Sequence, residues 1–95
     1  MPKSTANAAL VLRLYVAGNA PNSVIAIANI EAICDVNFPA AHEIQIVDML
    51  QNPLQALADG VIVTPTLLRV SPLPACRVIG NLSDSAQVLR MLGDK

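Results

Sequence analysis

Residues Leu10 to Val16 read Leu-Val-Leu-Arg-Leu-Tyr-Val, six apolar or aromatic side chains around one charge. Successive side chains of a strand point to opposite faces, so this run asks for cover on both sides. Ninety-five residues make one domain with one modest core. In such a chain the cover has to come from other elements layered above and below the strand. A layered α/β architecture follows. Arg13 is the exception in the run, and the pattern places it near a strand edge or end.

The rest of the chain supplies the layers. Gly18 to Asn22 is turn chemistry, and Asn22 suits a helix cap, so a helix is expected from about Ser23 to Val36. Val24, Ile25, Ile27, Ala28, Ile30, Ala32 and Ile33 cover most of its circumference. Such a helix is either wholly buried or carries a second, intermolecular face. Phe38-Pro39 breaks the pattern. Glu43 to Asp48 alternates polar and apolar, which marks a half-exposed edge strand. Asn52-Pro53 starts a short helix that Asp59-Gly60 closes. Thr66–Val70 and Cys76–Ile79 read as strands, and Pro72 and Pro74 between them exclude a tight two-residue turn. Ser83 is the expected cap of a last helix through Leu92, with Asp84 near its positive end and Gly93 as the stop. The order β-α-β-α-β-β-α predicts an α/β, thioredoxin-like fold: a four-stranded mixed sheet flanked by helices, its first crossover parallel and right-handed. Residues 10–93 are expected to form this single domain, and residues 1–9 a disordered segment without a convincing signal peptide.

Thr64-Pro65-Thr66 follows an apolar run and leads into a strand, where a thioredoxin-like chain typically carries a cis-proline at the mouth of its redox site. The Cys-x-x-Cys of such a site would fall between the first strand and first helix. Here that stretch is Gly18-Asn19-Ala20-Pro21-Asn22-Ser23. Thiol–disulfide exchange needs an accessible, low-pKa thiolate, usually beside a second Cys at a helix N-terminus. Docking is therefore expected instead of catalysis, with no cofactor. Cys34 and Cys76, 42 positions apart, match no zinc or redox spacing and read as buried thiols, with a disulfide left open. His42, the only histidine, gives no multi-histidine metal site and reads as a solvated loop residue. Asp48 either caps the turn after its strand or acts as a functional carboxylate. Gly18 lacks the Lys-Ser/Thr of a phosphate loop. Arg69 and Arg77 are either ordinary surface charge or part of a docking edge.

Composition agrees with a docking role. Charged residues make up 14% of the chain and hydrophobic ones 54%, against about 25% charged on average. The surface must be apolar in places, which on a small domain points to a partner or self-association. A net charge of −1 gives no drive toward nucleic acid. No apolar run approaches the roughly 20 residues of a membrane span, and the cytoplasm is the expected location.

Leu14-Tyr15-Val16-Ala17-Gly18-Asn19-Ala20-Pro21-Asn22-Ser23 strongly resembles the opening motif of the cyanobacterial KaiB family, and so does Ile46-Val47-Asp48-Met49-Leu50-Gln51-Asn52-Pro53. The resemblance continues through Thr64-Pro65-Thr66-Leu67, Pro72-Leu73-Pro74, Arg77-Val78-Ile79-Gly80 and Leu82-Ser83-Asp84, about Leu12 to Leu89 in all. The sensor domain of the clock kinase SasA is a related relative, and with no kinase following here the free-standing type is favoured. The resemblance implies a non-enzymatic circadian-clock component. Such a protein binds the N-terminal ATPase ring of a KaiC-like hexamer, competes there with SasA and helps sequester KaiA, so that KaiC passes to dephosphorylation. It also implies a metamorphic chain: monomeric when thioredoxin-like, with an alternative tetrameric ground state whose C-terminal half is rearranged. Pro65, Pro72 and Pro74 are the fold-switch and cis-proline candidates.

This sequence departs from the clock-type pattern. Ile25 and Ala28 stand where the first helix usually carries basic residues, Gln45 where a Lys is common, Gly60 for a basic residue, and Cys76 for an Arg. The acidic tail often seen is also absent. A divergent KaiC, or a paralogue with a non-clock partner, fits that loss of charge. Agreement between the Asp59-Gly60 stop and the Ser83 cap favours the thioredoxin-like form. The residues expected to meet a partner are Arg13, Ile25, Glu43, Gln45, Arg69 and Arg77. Two other functions compete with this reading: a thioredoxin-like stress or redox module using Cys34 or Cys76, and a homo-oligomer joined through its apolar first helix.

Overall fold

The computed structural model describes residues 10–39 and 42–92. Its elements are β1 (Leu10–Val16), α1 (Pro21–Asn37), β2 (His42–Asp48), α2 (Pro53–Ala58), β3 (Thr66–Ser71), β4 (Cys76–Ile79) and α3 (Ser85–Leu92). The sheet order is β2-β1-β3-β4. β1 pairs parallel with β2 and antiparallel with β3, and β3 pairs antiparallel with β4. This is the mixed thioredoxin-like sheet that the element order predicts, with β2 at an edge. The expectations for residues 1–9 and for Gly93 lie outside the described residues.

The alternation along β1 decides the layers. Leu10, Leu12, Leu14 and Val16 pack with Ala26, Ile30 and Cys34 of α1, Leu67 and Val78 of the sheet, and Val88 and Leu92 of α3. Each such leucine or isoleucine contributes roughly 1.5–3 kcal/mol by leaving water. Tyr15 looks the other way, into a smaller cluster with Ala56, Val61 and Leu68 beneath α2. Arg13 shares that second face. It stands in the middle of an interior strand, not at an edge or end, and it survives there because α2 is six residues long and leaves room for a guanidinium.

Local chemistry sets the helix ends, with three departures from the sequence expectations. α1 begins at Pro21, with Ala20 in the cap position and no side-chain cap. Proline's fixed φ and missing N–H suit the first helical position, which starts the helix ahead of Asn22. At α2, Asn52 occupies the cap position, but its Nδ2 donates to the Asp48 carbonyl at 3.0 Å instead. At α3, Asp84 Oδ1 accepts from the Gln87 N–H at 3.1 Å, so Asp84 and not Ser83 is the cap. His42 is likewise the first residue of β2 and not a loop residue, partly buried, with Nδ1 hydrogen-bonded to the Phe38 carbonyl.

α1 buries a stripe of Ser23, Ala26, Ile30 and Cys34, while Val24, Ile25 and Val36 stay exposed. Within this chain the helix thus has one covered face and one open face, on which these apolar residues stand beside the exposed Glu31 and Asp35. Leu82 adopts φ +65°, a left-handed conformation that disfavours a side chain by roughly 1–2 kcal/mol. Burial of that side chain in the core offsets the strain, and Asn29 Nδ2 holds the preceding carbonyl of Asn81 at 2.9 Å. The Thr64–Pro65, Ser71–Pro72 and Leu73–Pro74 bonds are cis.

Candidate functional site

Register assembles one row of side chains across the whole sheet. Gln45 pairs with Arg13, Arg13 with Leu68, and Leu68 with Arg77. All lie on the face that α2 covers, and directly paired positions carry their side chains on the same side. Arg13 Nε donates to Gln45 Oε1 at 2.9 Å, and Gln45 Nε2 donates to Glu43 Oε2 at 3.1 Å. Glu43 and Gln45 of β2 are thereby joined to β1.

Asp59 closes the row from above. Its Oδ2 accepts from Arg13 Nη1 at 2.9 Å and from the Tyr15 hydroxyl at 2.6 Å. Arg77 reaches the same corner from β4, donating Nη2 to the Asp59 carbonyl and Nη1 to the Gly60 carbonyl, both at 2.9 Å. Those carbonyls belong to the negative end of α2, where a cation is favourable. Gly60 at φ +72° makes the turn possible, and a Cβ there would sit 3.5 Å from Arg77 Nη2. Two arginines from different strands thus pin the end of one short helix.

The same contacts fix the titration of the corner. Burial pushes the Tyr15 hydroxyl up to about 12, reinforced by its hydrogen bond to Asp59 and by the charge of that carboxylate. Asp59 is held below its ordinary value, first by the Tyr15 hydrogen bond, then by Arg13 and by the charge of Arg77, against the opposing effect of burial.

At the start of α1, the position of a thioredoxin dithiol is filled by a turn. Ala17 N–H donates to Ser23 Oγ at 3.2 Å, and Gly18 N–H to Asp48 Oδ1 at 3.2 Å. Asp48 Oδ1 also accepts from the Leu50 N–H at 2.9 Å, so this carboxylate caps a turn, the structural alternative for it. Cys34 and Cys76 are free thiols. Cys34 is buried in α1, and burial, aided by the Asp35 charge, pushes its thiol up to about 11. Cys76, expected to be buried, is only half so. It opens β4, pairs with Arg69, and lies at the far end of that strand from Ile79, which pairs with Thr66 beside Pro65. Ellman's reagent is therefore expected to label Cys76 in the folded protein and Cys34 only on unfolding. Fast labelling of Cys34 in buffer would contradict this placement.

Of the residues expected to meet a partner, the fold brings Arg13, Glu43, Gln45 and Arg77 to one face. Ile25 lies on the open side of α1, 43% exposed. Arg69 is turned toward α3, its Nη1 donating to the Met91 carbonyl and its Nη2 to that of Pro74. Sequence reasoning missed Tyr15 and Asp59. A tyrosine in a fully buried strand needs a partner for its hydroxyl, and that was the available signal.

The KaiB domain family model matches residues 13–93. The chain belongs to the KaiB family. A circadian clock oscillator protein KaiB of Synechococcus elongatus is 47% identical over 79 residues, covering 83% of this chain and 78% of that protein. A second, from Picosynechococcus sp., is 46% identical over 79 residues, with 83% and 76% covered. The N-terminal domain of Synechococcus elongatus SasA superposes with a TM-score of 0.67 at 23% identity, over 93% of this chain and 87% of that one. Fasciola hepatica thioredoxin reaches 0.73 at 19% identity, over 96% and 86%. The two structural likenesses establish the thioredoxin-like fold for this KaiB-family chain.

Proposed function

We propose that this KaiB-family chain is a non-enzymatic cytoplasmic regulator that docks on the N-terminal ATPase ring of a KaiC-like hexamer. There it helps sequester KaiA and competes with SasA, so that the hexamer passes to dephosphorylation. The observation that carries this reading is the match, over most of both chains, to proteins named as circadian clock oscillators. Competition with SasA is supported by the shared fold, since two domains of one fold can present equivalent surfaces to one partner. The contacts fall to Ile25 on the open face of α1 and to Glu43 and Gln45 along β2. Arg13 orients Gln45, while Arg69 and Arg77 hold the ends of α3 and α2.

Size-exclusion chromatography with the KaiC-type hexamer of the same organism, with and without ATP, tests the reading. Co-elution is expected in at least one condition, and Ile25→Glu weakens it at least about tenfold by placing a charge in an apolar contact. Separate elution in both conditions would contradict the proposal.

A further inference from the structure

α2 covers only part of its sheet face, and beside its end lies an open cavity of about 560 Å³. Leu68, Val70, Ala58 and Ala75 give it apolar surface, while Arg13, Asp59 and Arg77 form a polar wall along the row described above. Apolar surface with a few convergent polar groups, at this volume, is the usual make-up of a small-molecule site. The electrostatics select the ligand. The Asp59 carboxylate is engaged by Arg13 and Tyr15. Arg77 meets only two backbone carbonyls, and among the described residues no carboxylate pairs with it. Two of its five N–H groups are used, so three donors remain on a guanidinium already held in place. Asp59 is the one carboxylate shared between the charges of Arg13 and Arg77, so this wall carries a net positive charge.

We propose that this cavity binds a small amphipathic monoanion, a single carboxylate on an apolar body, with the carboxylate on Arg77 and the body over Leu68 and Val70. The site is independent of the clock reading, because it is measured on the isolated protein.

Titration with 1-naphthaleneacetate, followed by backbone amide NMR shifts, tests it, with the neutral isostere 1-naphthaleneacetamide as the charge control. Shifts are expected to group at Arg13, Asp59, Leu68 and Arg77. The amide is expected to bind at least about tenfold more weakly, the loss of one charge-assisted contact. Arg77→Gln should lose a similar factor and Arg77→Lys retain part of the preference. If Arg77→Gln fails to fold, the acid–amide comparison on the unaltered protein still decides. Equal binding of acid and amide, shifts centred on the exposed Leu54 and Ile62, unchanged affinity in a folded Arg77→Gln protein, or no shifts at millimolar ligand would each overturn the proposal.

Discussion

Asp59→Ala is expected to lower the unfolding free energy by about 3 kcal/mol, the range for stranding one partner of a largely buried pair. The change leaves the Arg13 guanidinium, with 22% of its side chain exposed, without a carboxylate. It also takes from the fully buried Tyr15 its short acceptor, leaving only the Gln55 carbonyl at 3.3 Å. In a domain of this size the midpoint of thermal unfolding should fall on the order of 15 °C. Asp59→Asn keeps one acceptor oxygen and should lose about half as much. A loss below about 1 kcal/mol for Asp59→Ala would show that the corner holds nothing.

The same corner predicts how stability depends on pH. Asp59 is depressed below its ordinary 3.8, so its contribution is present above that value and is lost as pH falls through the lower, folded-state value. Asp59→Asn should remove this part of the acid slope. Tyr15 and Cys34 run the other way, raised from 10.0 to about 12 and from 9.0 to about 11. Their contributions are present below the ordinary values and lost as pH rises toward the raised ones. Tyr15→Phe should therefore flatten the alkaline limb above pH 10.0. Denaturant titrations at fixed pH values measure both limbs.

Leu14→Ala is expected to cost about 3–5 kcal/mol, the lost transfer energy plus the cavity left behind. Leu14 is fully buried, and its row runs Ile46, Leu14, Leu67, Val78 across all four strands. A paired, close-packed sheet centre collapses poorly around a missing side chain, which puts the cost toward the upper part of that range. Urea unfolding measures it, and a loss under about 1.5 kcal/mol would mean that the neighbours close the gap.

The layers were legible because they follow from local pattern. Six apolar residues around Arg13 required cover on both faces, the alternation at Glu43 to Ile46 marked the edge, and Asp59-Gly60 marked a short helix. Caps were less legible: Asn22, Asn52 and Ser83 are all competent cap residues, but Pro21 starts its helix ahead of Asn22, the Asp48 carbonyl takes the Asn52 amide, and α3 begins one residue late for Ser83, with Asp84 as its cap. The Asp59 corner was not legible at all. It joins residues 44 and 46 positions apart, and no periodicity carries a contact of that separation. Asp59 therefore read only as a helix stop, Arg13 as an edge residue, and Arg77 as surface or docking charge. Strand register turns these into one structure, and register is set by the assembled sheet.

Displacement of SasA bears most directly on the claim that this thioredoxin-like scaffold acts by docking. A labelled SasA N-terminal domain bound to the KaiC-type hexamer of the same organism is titrated with the unlabelled protein, and fluorescence anisotropy is followed. The anisotropy should fall to that of the free domain, and Ile25→Glu should shift the midpoint upward at least about tenfold. Anisotropy unchanged at saturating protein, with the hexamer intact, would contradict the claim.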